Sequence, residues 1–122
     1  MIAYIALGGL LGTLARYFVQ GALQTKGGTF PTGTLAINIV GSFLLGFIMR
    51  LATGSTVVSP ELRAGLTIGF CGAFTTMSTF SYESVRLLSD GEYWYAGLYA
   101  GGTVAGCLVA TVLGLALAER LL

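Results

Sequence analysis

The sequence predicts an all-α membrane protein with four transmembrane helices, and composition and length are the observations behind this. Of the 122 residues, 55% are hydrophobic and only 9% are charged. Soluble domains carry about 25% charged residues, so this chain has too few to cover a water-soluble surface. A spanning helix requires roughly 20 apolar residues. Four such helices with short turns therefore use nearly the whole chain.

The first two predicted helices are bounded by turn-forming residues. The first, residues 2–24, is interrupted only by Arg16, and the second, residues 32–52, follows Pro31 within an uncharged run. The connection at residues 24–31 contains the Gly, Thr and Pro that are typical of turns. Both helices are long enough to span a bilayer.

The third and fourth predicted helices, residues 61–88 and 93–121, complete a single domain of residues 1–122. Ser59 before Pro60 is a typical helix start, because serine can cap the first turn and proline is tolerated at the first helical position. A short polar turn separates these two helices, and the fourth is uncharged for most of its length.

The third helix contains the densest group of polar residues in any predicted span. Five of the seven residues from 75 to 81 bear hydroxyl groups, and Gly72 precedes them. In a bilayer, unpaired backbone groups are tolerated only where they face protein, water or an ion. We therefore predict that this helix is broken near residues 72–79, where freed carbonyls could hold a cation and freed amides could face an anion.

The 19 glycines fall mostly within the predicted helices. Small residues four positions apart allow helix backbones to approach closely, which is how helices associate in lipid. We expect such packing at Gly8 and Gly12, Gly65 and Gly69, Gly97 and Gly101, and Gly102 and Gly106.

Positive charge is nearly balanced between the two ends of the predicted bundle. Arg50, Arg63 and Arg120 lie at the end that also holds the N-terminus, and Lys26 and Arg86 lie at the other. The positive-inside rule requires a bias to choose one orientation. The near balance favours insertion in both orientations, with two copies pairing as an antiparallel homodimer.

Three further polar residues lie within the spans, and two of them, Arg16 and Asn38, have two interpretations each. Arg16 can extend to the interface or neutralise carboxylates or carbonyls, and Glu83 is the only acid near the polar cluster. Asn38 lies in mid-span with Thr34 and Ser42 at helical spacing, and its amide either joins helices or lines an anion path. Polar groups in lipid are costly and often functional.

A polar stripe is predicted on the fourth helix. Tyr99, Thr103, Cys107 and Thr111 are each four residues apart. Their hydroxyls either bond to carbonyls of their own helix or face a polar path. Cys107 and Cys71 are interpreted as small packing residues, because neither has neighbours typical of a zinc site or a disulfide.

The residue inventory excludes several classes of function. The chain has no histidine, no nucleophile with a base partner and no nucleotide-binding loop, so an enzyme is not predicted. A net charge of +1 gives no reason to expect a nucleic-acid partner. Hydroxyls, one amide and aromatic ring edges are weak donors that suit conduction of a small ion.

Three motifs have an order and spacing that match a known family over most of the chain. They are GGxxGxxxRY at residues 8–17, GTLxxNxxGSFxxG at residues 33–46 and GFCGAFTTMSTFSxE at residues 69–83. Together they resemble the Fluc (CrcB) family of fluoride channels. The resemblance implies a multi-pass protein of the cell membrane that exports fluoride passively from the cytoplasm and gives fluoride resistance. It also implies an antiparallel, dual-topology homodimer with two pores.

The resemblance further implies roles for individual residues. A structural sodium ion at the dimer centre would be held by backbone carbonyls, and Gly72 and Thr75 match those positions. Met77 departs from the family, because it stands where a first pore phenylalanine is usual. The fluoride-lining residues, from the resemblance and the stripe, are Asn38, Met77, Ser78, Thr79, Phe80, Tyr99, Thr103, Cys107 and Thr111.

Two other functions fit four membrane helices. A small dual-topology multidrug transporter would require an acidic residue within the first helix for proton coupling, but that helix holds only Arg16. A structural membrane subunit would give no reason for the hydroxyl-rich cluster of the third helix.

Overall fold

The computed structural model describes residues Met1 to Leu122 and is entirely helical, with four helical regions. The third region consists of two helices. The first of these, α3, runs through the contiguous segments Pro60–Ala64, Gly65–Cys71 and Gly72–Phe74, and its middle segment is π-helical. The other helices are α1 Ile2–Leu23, α2 Thr32–Gly54, α4 Met77–Ser89 and α5 Tyr93–Leu121.

Three of these helices, α1, α2 and α5, are long and apolar enough to cross a membrane. At 1.5 Å per residue, their 22, 23 and 29 residues each exceed the roughly 30 Å of bilayer hydrocarbon. Only 21 of the 122 residues are buried, and most large hydrophobic side chains are exposed on the single chain. That surface suits lipid or another membrane protein.

Side-chain caps and two glycines set the helix ends. The Ser59 hydroxyl accepts the Leu62 N–H at 3.2 Å and starts α3 as the sequence predicts. Thr32 donates its hydroxyl to the Leu23 carbonyl at 2.8 Å, which joins the end of α1 to the start of α2. Gly27 and Gly91 have φ of 69° and 77°, a conformation that glycine adopts without steric cost, so the chain can turn between helices there.

Glycines allow α1 to lie directly against the π-helical part of α3. A Cβ atom on Gly8 would overlap the Gly65 carbonyl oxygen, and one on Gly12 would overlap the Phe70 carbonyl oxygen. A Cβ atom on Gly69 would lie 2.5 Å from the Ile5 carbonyl oxygen. The packing expected at Gly8, Gly12, Gly65 and Gly69 is therefore present.

The most extensive helix pair is α2 with α5. Gly46 and Gly114 form its closest approach, because a Cβ atom on either would meet a backbone carbonyl of the other helix. The expectation for Gly97, Gly101 and Gly102 is wrong within the chain, since nothing lies within 4 Å of a Cβ atom there. These three glycines face outward, away from the rest of the chain. The i, i+4 spacing of small residues indicates that they share one face of the helix, but it does not indicate which surface packs against that face.

The backbone leaves the helical conformation between α3 and α4. Thr75 and Thr76 have φ and ψ of −92°, 160° and −150°, 113°, which are extended values. This two-residue stretch lies within the region 72–79, whereas Gly72 itself is helical. The helices on either side thus present free backbone groups to whatever packs beside Thr75 and Thr76.

Candidate functional site

The Asn38 side chain holds the extended stretch between α3 and α4. Its Oδ1 atom accepts the Thr76 N–H at 2.8 Å, and its Nδ2 atom donates to the Thr76 carbonyl at 3.2 Å. Both residues are 8% exposed. One amide from α2 therefore satisfies both backbone groups of a buried, non-helical residue.

These hydrogen bonds leave two carbonyls without their usual helical donors. In a continuous helix the Thr76 N–H would bond to the Gly72 carbonyl, but it bonds to Asn38 instead. The Thr79 N–H would likewise bond to the Thr75 carbonyl, but it bonds to the Thr76 hydroxyl at 3.2 Å. Gly72 and Thr75 thus present carbonyl oxygens that are available to an external partner.

The Thr76 hydroxyl is the N-cap of α4 and joins a small hydroxyl cluster. It donates to the Thr79 hydroxyl at 3.0 Å and lies 3.3 Å from the Ser78 hydroxyl. The predicted residues Ser78 and Thr79 therefore lie together at the N-terminus of α4. Thr76 was not predicted as a site residue, although it belongs to the hydroxyl-rich run.

A cavity of about 330 Å³ opens beside the extended stretch and is called the central groove. It brings together residues of α2, α3, α4 and α5, and no carboxylate or positive charge lines it. Among the predicted residues, Ser78, Thr79, Tyr99 and Thr111 do not line it. Its wall is formed by Asn38, Gly41, Ser42, Leu45, Thr67, Cys71, Gly72, Thr75, Thr76, Met77, Phe80, Thr103, Val104 and Cys107.

Thr111 and Thr103 of the predicted stripe on α5 lie in different environments. Thr111 donates its hydroxyl to the Cys107 carbonyl of its own helix at 2.9 Å, and the same hydroxyl lies 3.4 Å from the Ser42 carbonyl. Thr103 is 6% exposed, and its hydroxyl has no hydrogen-bond partner within the chain. A buried polar atom without a partner costs free energy, and Thr103 lies on the groove wall, where a water molecule or an ion that reached its hydroxyl would remove this cost.

Glu83 lies in a hydrogen-bond network rather than in an ion pair. Its two carboxyl oxygens accept the Thr34 hydroxyl at 2.9 Å and the Tyr99 hydroxyl at 3.0 Å. Gln20 donates to Thr34 at 2.9 Å, which extends the network to α1. Thr34 and Gln20 were not predicted as site residues, although the helical spacing of Thr34 and Asn38 places them on one face of α2.

Glu83 also contributes to a second, polar cavity of about 430 Å³ at the end of the molecule that holds Lys26. Arg86 and Asp90 line this cavity with their side chains 3.8 Å apart. The Phe80 ring lies against the Tyr99 ring with centroids 5.2 Å apart. Phe80 lines the central groove and contacts the Glu83 network through the Tyr99 ring.

Arg16 is half-buried and forms no ion pair within the chain. The ion pair that joins two of the long helices is instead Arg50 with Glu119, between α2 and α5. Arg16 therefore makes no ion pair with Glu83 in the single chain.

A family model described as "CrcB-like protein, Camphor Resistance (CrcB)" matches residues 3–115. The chain belongs to the CrcB family. The match includes the extended stretch, the central groove and the Glu83 network, so the resemblance of the three motifs to the CrcB family is confirmed.

Members of the CrcB family resemble this chain over its full length. A relative from Geobacter sulfurreducens is 50% identical over 121 residues, which is 98% of each chain. A relative from Geotalea daltonii is 51% identical, and the match covers 97% of this chain and 96% of the relative. A relative from Chlorobaculum tepidum is 48% identical, and the match covers 97% of this chain and 94% of the relative. Each of the three is named a fluoride-specific ion channel FluC.

Membership of the CrcB family places this chain among membrane proteins rather than enzymes. The relatives are named as ion channels, and α1, α2 and α5 are each able to cross a bilayer. The predictions of an all-helical membrane protein and of a non-enzyme agree with these names.

Proposed function

We propose that this chain is a fluoride-specific channel of the cell membrane, through which fluoride leaves the cytoplasm passively. The observation that supports this most directly is the central groove. It is a cavity beside the non-helical Thr75 and Thr76, with no charged side chain in its wall. Relatives with about half of their residues in common are named as fluoride-specific channels.

The residues beside the groove suit a small anion that must keep moving. The unpartnered Thr103 hydroxyl can donate a hydrogen bond, and the edge of the Phe80 ring carries a partial positive charge. No arginine or lysine lines the groove, so an anion is not trapped by a full charge. In this proposal the fluoride path continues from the groove past Ser78 and Thr79, at the start of α4, and past Tyr99, which lies beside Glu83. Thr111 lies at the other end of the path.

Met77 gives this chain a different lining from the two-phenylalanine pattern of the family. The side chain is 73% exposed on the single chain and lies on the groove wall. A thioether lacks the positive edge of an aromatic ring and is flexible. In the proposal Met77 therefore provides bulk and apolar surface, and Phe80 alone provides a ring edge.

The functional unit in this proposal is an antiparallel homodimer with two pores. Three positive residues at one end of the bundle against two at the other give little orientation bias. Met77 and Gly72 are exposed at the open side of the groove, and a second chain would close that side. Two copies related by a twofold axis would supply two equivalent grooves.

A structural sodium ion fits the carbonyl oxygens at the centre of this proposal. Gly72 and Thr75 lack their usual helical donors because Asn38 and the Thr76 hydroxyl accept those N–H groups. Carbonyl oxygens are suitable ligands for a hard cation. Two chains would together supply four of them, and the bound charge would hold two extended stretches together without taking part in any reaction.

The proposed function is tested with purified protein in liposomes loaded with fluoride or chloride. We expect electrode-detected fluoride efflux that requires the protein, with chloride efflux no faster than from protein-free liposomes. Equal efflux of the two anions would contradict a fluoride-specific channel. Absence of fluoride efflux from liposomes shown to contain folded protein would contradict a channel of any kind.

The sodium proposal has its own measurement in the same liposomes. Replacing sodium with a large organic cation on both sides of the membrane should lower fluoride efflux, because the carbonyls of Gly72 and Thr75 would lose their counter-charge. Potassium replacement tests size selectivity at the same carbonyls. Efflux that is unchanged after exhaustive sodium removal would contradict a sodium ion that matters for conduction.

A further inference from the structure

Three sulfur-bearing residues line the central groove, and fluoride conduction assigns no chemistry to them. They are Cys71, Met77 and Cys107. Both cysteines are free thiols. The groove wall contains no carboxylate and no imidazole, so among side chains sulfur is the only strong metal donor there.

Tertiary packing brings these residues together from three separate segments. Cys71 ends the π-helical part of α3, Met77 begins α4, and Cys107 lies within α5. Cys71 is 2% exposed, Cys107 is half-buried and Met77 is 73% exposed. The sulfur-bearing residues thus extend from the buried side of the groove wall to its open side.

The cavity has room for an ion at this wall. Its volume of about 330 Å³ is roughly ten times the volume that one water molecule occupies in the liquid. A partly hydrated monovalent cation can therefore enter and exchange its water for sulfur ligands.

We propose that Cys71, Met77 and Cys107 form a site for one soft monovalent cation, of the copper(I) or silver(I) class, and that a bound ion obstructs the groove. Thiolate and thioether ligands select soft cations over sodium or magnesium. Cys107 exchanges its thiol proton for the ion, and the proton leaves to water in the groove. Met77 acts as a neutral thioether ligand, and the Cys71 thiol, which keeps its proton, is a weaker third donor.

Charge balance favours this set of ligands in a membrane. One thiolate and one monovalent cation form a neutral pair, whereas a net charge in a low-dielectric interior is costly. The harder backbone carbonyls of Gly72 and Thr75 suit a different class of cation. Sulfur side chains and backbone carbonyls on the same groove wall therefore favour soft and hard ions respectively.

Binding is tested first, on detergent-purified protein with silver nitrate in chloride-free buffer, by native mass spectrometry and equilibrium dialysis. We expect one tightly held silver ion per chain. The double variant Cys71→Ser/Cys107→Ser should lose it, and Met77→Leu should bind about tenfold more weakly. Met49→Leu is the matched control, because Met49 lies outside the groove, and it should bind as the wild type does.

Two binding outcomes would overturn the site. The first is silver that stays bound with unchanged affinity in the double variant. The second is two silver ions per chain, of which each single cysteine variant removes one without changing the affinity for the other. Cys71→Ala and Cys107→Ala repeat the measurement should either serine variant fail to fold.

The proposal that a bound ion obstructs the groove rests on the proposed fluoride channel, and it is tested by a separate measurement. Silver(I) should slow fluoride efflux from liposomes, and excess dithiothreitol should restore it. Each variant is compared with its own silver-free efflux, and the double cysteine variant should not respond to silver. Silver binding without any slowing of existing efflux would overturn the obstruction. Silver binding to a protein that passes no fluoride at all would leave the metal site standing and contradict the channel.

Discussion

At the scale of single residues, Asn38 has the most consequential contacts in the chain. Its side chain bonds to both backbone groups of Thr76 from a helix 38 residues away in sequence. The interpretation of Asn38 as a link between helices is therefore correct for this chain, and its position on the groove wall is compatible with a second role towards an ion. The same amide frees the Gly72 carbonyl, so fold and proposed ion site depend on one residue.

Replacing Asn38 with alanine should destabilise the protein and reduce fluoride efflux. The buried Thr76 N–H and carbonyl would lose their partners, and leaving a buried polar group unsatisfied costs about 1–3 kcal/mol. Unfolding in detergent, followed by circular dichroism, measures the loss. Ser42→Ala is the matched control on the same helix face, because the Ser42 hydroxyl makes no hydrogen bond within the chain. Equal stability of the two variants would show that the Asn38 contacts are unimportant.

At the scale of elements, close packing of α1 against α3 depends on glycine at particular positions. Gly8 lies against the backbone of Gly65, whereas its neighbour Gly9 has nothing within 4 Å of a Cβ atom. Because lipid supplies no hydrophobic drive for helices to associate, such contacts supply much of the packing energy. The seven-residue π-helical segment Gly65–Cys71 lies within this contact and continues through Gly72–Phe74 to the extended stretch at Thr75.

Gly8→Ala and Gly9→Ala should therefore differ sharply, although they are adjacent in sequence. The methyl group at residue 8 would meet backbone atoms that cannot rotate away, and we expect overpacking to cost about 1–3 kcal/mol. At residue 9 the change should be neutral, or stabilising by up to about 1 kcal/mol from helix propensity. Thermal stability in detergent and the yield of folded protein compare the two. Similar values for both would contradict the α1–α3 packing.

At the scale of the whole molecule, one chain does not bury enough surface to form a closed protein. Large hydrophobic side chains are exposed on nearly every helix. Gly97, Gly101 and Gly102 form an outward-facing surface of small residues on α5. Such a surface suits close contact with another helix. With nearly balanced charge at the two ends, a second copy in the opposite orientation is the partner we propose.

Adding positive charge to one end of the bundle should fix the orientation in which the chain inserts into the membrane, without changing its fold. Thr56→Lys with Val57→Lys adds two charges to the exposed loop after α2, where Val57 is 86% exposed. By the positive-inside rule, this variant should insert with that loop in the cytoplasm and lose fluoride efflux for lack of an opposite partner. Thr29→Lys with Ser89→Lys should insert in the reverse orientation.

Co-expression of the two oppositely charged variants should restore efflux, and reporters fused to the C-termini measure orientation. Full efflux from either variant alone, with one-sided reporter signal, would contradict the antiparallel dimer.

The sequence by itself determined the all-helical class and the membership of the CrcB family, because both follow from local composition and motifs. It also indicated Asn38 and the hydroxyl-rich run as the polar features of the spans. Only the tertiary structure decided which groups meet: Asn38 with Thr76, and Thr34 and Tyr99 with Glu83. It also separated glycines that pack within the chain from glycines that face outward. The physical reason is that helical spacing assigns a residue to a face, whereas the partner of that face depends on how distant helices cross.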